Sequence, residues 1–141
     1  MRRKIVIGSV FIMVLAISAG FFLYNKPSER IVSAKARYSL HATQLYNEFD
    51  KSEAAANAKY LNTVVSVRGV IREISPVDRK GVTIVLETKN PLFGVSCQLP
   101  NGNKGEILRR GQEVQVKGLC TGKLMDVVLM KCIIQTKNKQ L

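Results

Sequence analysis

The side chains able to do chemistry in this chain are few and far apart. It has one histidine, His41, three cysteines, Cys97, Cys120 and Cys132, and no tryptophan. A Ser-His-Asp or Cys-His device has only His41 to serve as base, and no nucleophile is marked around it. Its place near the start of a helical pattern suits a surface histidine better. The 10 Asp and Glu residues are scattered. Glu48, Asp50 and Glu53 come closest to a cluster, but Lys51 lies among them, which suits solvated pairs on a helix rather than a two-carboxylate acid–base site. Asp78 falls in a turn and Asp126 at a strand start. No P-loop, GxGxxG, GxSxG or HExxH occurs. A zinc site would need all three cysteines, and these lack CxxC spacing. The sequence therefore predicts no enzyme, no metal and no cofactor.

The elements that must position anything else begin with an apolar run. Ile5 to Tyr24 carries no charge in 20 residues. A helix of that length rises ~30 Å, the thickness of a bilayer's hydrocarbon core. Arg2, Arg3 and Lys4 precede it, so the positive-inside tendency places the N-terminus in the cytoplasm and the rest of the chain periplasmic or otherwise extracytoplasmic. Lys26, Arg30, Lys35 and Arg37 oppose that bias from the other side. A cleaved signal peptide is the competing reading, with Ala16, Ser18 and Ala19 near a cut. The apolar run continues through Phe21, Phe22 and Leu23, longer than the usual h-region, which favours an uncleaved anchor. Residues 25–38 are polar and basic, with Pro27 and Ser28, and read as a juxtamembrane linker.

Residues 39–135 read as one domain, followed by a basic tail at 136–141. Ser39 to Lys59 has helical spacing, with Ser39 as N-cap and Leu45 and Phe49 one turn apart. Five short strands follow. They are Val64 to Ile74, Val82 to Thr88, Phe93 to Leu99, Glu113 to Cys120 and Met125 to Ile134. Gly69 suggests a bulge or bend in the first. Ser75 to Asp78 and Thr121 to Lys123 read as turns, Pro100 to Gly105 as loop, and Glu106 to Arg110 as one helical turn. A helix and five strands, the first long and bent, predict a mainly β protein with a closed five-stranded OB-fold barrel, since closure removes exposed sheet edges. Strand number alone equally allows an SH3-like barrel.

Two stretches carry a resemblance. Glu53-Ala54-Ala55-Ala56-Asn57-Ala58-Lys59-Tyr60, leading into Val64-Val65-Ser66-Val67-Arg68-Gly69-Val70-Ile71, is similar to the tRNA anti-like OB-fold family. So is Arg110-Gly111-Gln112-Glu113-Val114-Gln115-Val116-Lys117-Gly118, followed by Asp126-Val127-Val128-Leu129. The resemblance runs from Leu40 to Ile134, and its motifs are structural. It implies an exported or anchored bacterial protein with an OB barrel, and carries no catalytic residue.

In OB topology the third strand neighbours the fifth, which brings Cys97 towards Cys132 as a disulfide pair if the compartment is oxidising. Packing as small apolar residues is the plainer use of all three cysteines. With three cysteines, at least one stays free or pairs between chains.

Lys and Arg total 22 against 10 acidic residues, a net charge of +12. Single-strand-binding OB-folds add aromatic stacking platforms to such charge. The five strands contain one aromatic, Phe93, which disfavours nucleic acid as ligand. The expected function is a membrane-anchored binding module for a protein or an anionic envelope partner. Its surface would lie on the second and third strands and the adjoining loops, with Arg68, Arg72, Lys80, Lys89 and Phe93 as candidate contacts. A single-stranded nucleic-acid-binding OB-fold protein is the alternative.

Overall fold

A computed structural model describes residues 1–24, 31, 33–77, 81–100 and 107–135. The first helix, α1 (Arg2–Tyr24), includes Lys4–Phe21, a segment long and apolar enough to cross a membrane, with none of it buried by the rest of the chain. The remaining elements are β1 (Tyr38–His41), α2 (Ala42–Lys51), α3 (Glu53–Tyr60), β2 (Val64–Val77), β3 (Gly81–Leu86), β4 (Val95–Leu99), β5 (Glu113–Lys123) and β6 (Val127–Ile134).

The strands run β1-β2-β3-β4-β6-β5, and β5 returns to β2. The five strands β2 to β6 therefore close into a barrel, with β4 and β6 parallel and the other barrel pairs antiparallel. That order, with one parallel seam, is the OB arrangement. The long strand β2 makes closure possible. Its first half, Val64 to Val70, pairs with β5, and its second half, Ile71 to Val77, pairs with β3. Alternation sets the core: Val65, Val67, Ile84, Leu86, Val95, Cys97, Val116, Val127 and Leu129 are all fully buried.

Several local expectations give way to tertiary pairing. Ser39 does not cap a helix. Tyr38 to His41 form a short strand parallel to Val65–Arg68 and cover the edge of β2 that β3 leaves open. The expected single helix is two, because Ser52 is extended and its Oγ accepts from the Ala55 N–H at 3.3 Å, starting α3 afresh. Gly69 is not the irregular position in β2; the register shifts between Ile71 and Glu73. Gly69 instead admits a close approach, since a Cβ there would lie 3.0 Å from Ala42 Cβ and 3.2 Å from Leu86 Cβ. Thr121 to Lys123 is strand rather than turn. Gly122, at φ 107°, absorbs a bulge, and the chain reverses at Leu124 to Asp126. Ser75 to Val77 likewise extends β2, while Phe93 and Thr88 lie outside their strands. Ile107 to Leu108 are not helical. Asp78, Lys80, the 101–106 loop with Glu106, residues 25–30 of the linker and the 136–141 tail lie outside the described residues.

The helices plug one end of the barrel. Leu45, Tyr46 and Phe49 of α2 and Ala56 and Tyr60 of α3 are buried. Tyr60 is clamped: its hydroxyl donates to Glu48 Oε2 at 2.7 Å, and Lys59 Nζ reaches the same oxygen at 2.9 Å. Burial works to raise the Glu48 pKa, but the bonds from Lys59 and Tyr60 outweigh it and hold the carboxyl below its usual range.

Candidate ligand-binding surface

At the plugged end, two connections meet: residues 87–94 between β3 and β4, and residues 124–126 between β5 and β6. The first is braced from within. Asn90 Oδ1 accepts from the Leu92 and Phe93 N–H groups at 2.8 and 3.1 Å, and Thr88 Oγ1 donates to the Phe93 carbonyl at 2.7 Å. Asn90 supplies this because its short amide bonds backbone two and three residues on, and Pro91 favours the turn. Asn90 Nδ2 also donates to Tyr46 Oη at 3.1 Å, tying the loop to α2. The two connections are joined to each other: the Gly94 N–H donates to Asp126 Oδ1 at 2.7 Å, and the Val127 N–H to the Gly94 carbonyl at 3.1 Å.

This frame holds apolar side chains out in solvent. Leu92 is 74% exposed, Leu124 89% and Met125 69%. Arg72 Nη2 donates to the Leu92 carbonyl at 3.4 Å, and Lys89 is exposed on the same loop. Lys123 is less open: its Nζ bonds Asp50 Oδ1 at 3.0 Å and sits 4.7 Å from the Tyr46 ring centre. Burial opposes the Lys123 charge, but Asp50 and Tyr46 outweigh it, so the ammonium is held above its usual range.

Of the expected contact residues, the structure gathers Arg72, Lys89 and Phe93 at this loop. The Phe93 side chain packs partly against the core and offers little ring for stacking. Arg68 is elsewhere, in a bidentate pair with Glu113 at 2.7 and 3.1 Å, so its charge is already met. Lys80 lies outside the described residues. Asn90, Leu92, Leu124 and Met125 were not foreseen as site residues. Asn90-Pro91 signals a turn in sequence, but the meeting of that turn with Leu124-Met125 is a product of the β4–β6 pairing.

The other candidates stay apart. His41 lines a shallow, open hollow along α2 with Thr43, Gln44, Asn47, Glu48 and Lys51. Among the described residues, no three His, Cys, Asp or Glu side chains are grouped to hold a metal ion. The three cysteines are buried with free thiols.

A closed barrel of this strand order, plugged by helices and preceded by an apolar helix, defines an OB-fold protein with an N-terminal segment apolar enough to cross a membrane. The chain belongs to the tRNA_anti-like family, whose profile matches residues 1–134. No curated protein matches it. Among solved structures it is similar to a lipoprotein from Klebsiella pneumoniae subsp. pneumoniae MGH 78578, provisionally described as nucleic acid-binding. The TM-score is 0.56 at 17% identity, covering 79% of this chain and all of the other. At that identity the likeness is one of fold.

Proposed function

We propose that this chain is a membrane-anchored OB-fold binding module, without catalytic activity of its own, which presents its barrel outside the cytoplasm to a protein or envelope partner. One observation carries the reading. The 87–94 loop is braced by its own side chains, fastened to α2 and to the β5–β6 turn, and still exposes Leu92, while that turn exposes Leu124 and Met125. A rigid loop that spends hydrogen bonds on keeping apolar groups in water suits contact with a partner, where pre-organisation lowers the entropic cost of binding. Arg72 and Lys89 would add salt-dependent attraction to an acidic partner. The apolar run Ile5 to Tyr24 of α1, preceded by Arg2, Arg3 and Lys4 in its first turn, supports the anchor and its orientation.

Photo-cross-linking of the full chain in its own cells tests this. A photoreactive residue at Leu92 or Leu124 is expected to give a discrete adduct, weakened by R72E/K89E. The same residue at Ile107, also exposed, is expected to give none. Equal labelling at all three positions would refute the surface, and a C-terminal reporter active only outside the cytoplasm checks the orientation separately.

A second reading, binding of single-stranded nucleic acid, is favoured by the description of the Klebsiella lipoprotein. It has no row of exposed aromatics on the described strands to draw on. Fluorescence anisotropy with labelled single strands at low salt decides it, since binding of this kind falls steeply as salt rises.

A further inference from the structure

We propose that residues 33–41 form a strap whose outward cations, Lys35 and Arg37 with Lys59 beside them, rest on anionic lipid headgroups and seat the barrel against the bilayer that α1 crosses. The strap is fastened to the barrel along its length. Lys117 Nζ donates to the Ala34 carbonyl at 3.0 Å, the Arg37 N–H donates to the Val64 carbonyl at 2.8 Å, and Tyr38 to His41 pair with Val65–Arg68. Lys117 is itself buried, and so is Ile31 just before the strap. Residues 33–37, expected as part of a linker, therefore belong to the domain.

From Ala34 onwards the strap alternates. Ala34, Ala36 and Tyr38 are half-buried and Leu40 is buried, while Lys35, Arg37, Ser39 and His41 are exposed. The exposed side chains share the face turned away from the barrel, and no acidic residue is among them. The Tyr38 ring ties a third cation to the patch: its centre lies 5.9 Å from Arg37 Cζ and 5.5 Å from Lys59 Nζ. Glu48 answers the charge of Lys59, so Lys35 and Arg37 supply the excess. Cations gathered around a tyrosine suit the headgroup layer of a bilayer.

Reach keeps this patch near the membrane. Seven Cα steps separate Tyr24, the last residue of α1, from Ile31, at most ~25 Å when fully extended. A negative surface then draws the cations in over the last Debye length, ~8 Å at physiological salt. Lys26, Arg30, Lys35 and Arg37 work against the positive-inside bias, and headgroup contact on their own side gives such charges a use. The Leu124 end of the barrel lies apart from the patch: β5 ends at Lys123, six residues or ~20 Å beyond Lys117. The proposal rests on the anchoring by α1 proposed above, and not on which side of the membrane the barrel lies.

The test places the full chain in lipid nanodiscs, of phosphatidylcholine alone or with phosphatidylglycerol added, each carrying a trace of lipid with a gadolinium chelate on its headgroup. Paramagnetic relaxation of the backbone amides, read by NMR, reports their distance from the headgroups. In anionic discs the Lys35 to His41 amides should relax faster than those of Leu92 and Leu124, and the difference should shrink in raised salt and in discs of phosphatidylcholine alone. Each cation near an anionic surface favours contact about fivefold, so K35Q/R37Q should lower the ratio of docked to undocked barrels roughly 30-fold. Both side chains are exposed, and an otherwise unchanged amide spectrum shows that the variant is folded. A strap no closer to the headgroups than Leu92 and Leu124, or a difference indifferent to lipid charge, salt and K35Q/R37Q, would overturn the proposal. Washing reconstituted vesicles with alkaline carbonate checks the anchor separately. If the chain washes off, the anchor reading fails, and sedimentation with anionic vesicles at low salt decides the patch by itself. Wild type is then expected to sediment more than K35Q/R37Q, and equal sedimentation overturns the patch.

Discussion

A methyl group placed at Gly118 probes how tightly the bulge in β6 seats its cysteine. In Gly118→Ala the new Cβ would lie 2.5 Å from Cys132 Sγ, 3.3 Å from the Met130 carbonyl oxygen and 3.4 Å from Leu129 Cβ. Unstrained carbon contacts lie at ~3.5–4.0 Å and sulfur is no smaller, so the sulfur must retreat by about 1 Å in a core with no slack. Overpacking of that kind costs about 1–3 kcal/mol. Cys132→Ala alone removes a buried sulfur and costs about 1 kcal/mol through lost contacts. In the double variant the methyl group added at position 118 enters the space the sulfur has left. Its other two neighbours are tight but tolerable, so rescue should be large though incomplete. The expected coupling is about 1 kcal/mol or more in the favourable direction. The assay is urea unfolding of the full chain in detergent micelles, kept reduced so that no disulfide contributes, followed by the barrel's circular dichroism. Costs that simply add, within about 0.5 kcal/mol, would refute the claim that Gly118 is there to house the Cys132 sulfur.

Acid should find the Glu48 clamp. Its folded pKa lies below the ordinary 4.5, so its contribution is present above that pH and is lost as pH falls through the folded value. Melting temperatures should therefore drop more steeply below pH 4.5 in wild type than in E48Q. Asn90→Ala removes the acceptor for two backbone N–H groups and the donor to Tyr46. A loss of about 1–2 kcal/mol is expected, together with faster amide hydrogen exchange at Leu92 and Phe93 by mass spectrometry. Gly94→Ala would drive a Cβ into the Leu86 carbonyl oxygen, which belongs to the backbone and has no rotamer to escape by. Its melting temperature should fall further than that of Gly118→Ala, whose main obstacle is a side chain.

What could be read from the sequence is what repeats locally. The charge-free stretch from Ile5 to Tyr24 identifies α1 by length and composition, and strict alternation at Ile84, Leu86, Val95, Cys97 and Leu99 marks the inward face of β3 and β4. These signals lie within a few residues of each other, so no distant partner is needed to see them. Tyr38 to His41 gave no such signal, because a strand of four residues acquires meaning only from Val65–Arg68 far along the chain. Gly122 looked like a turn for the same reason. A glycine at positive φ serves a turn or a bulge equally well, and only the register between β5 and β6 decides. The candidate surface is of this second kind. The 87–94 loop meets the 124–126 turn, through Gly94 and Asp126, because β4 lies beside β6 in one register. Shifting it by a single residue would turn the inward side chains of β6, Val127 and Leu129, to the opposite face of the sheet.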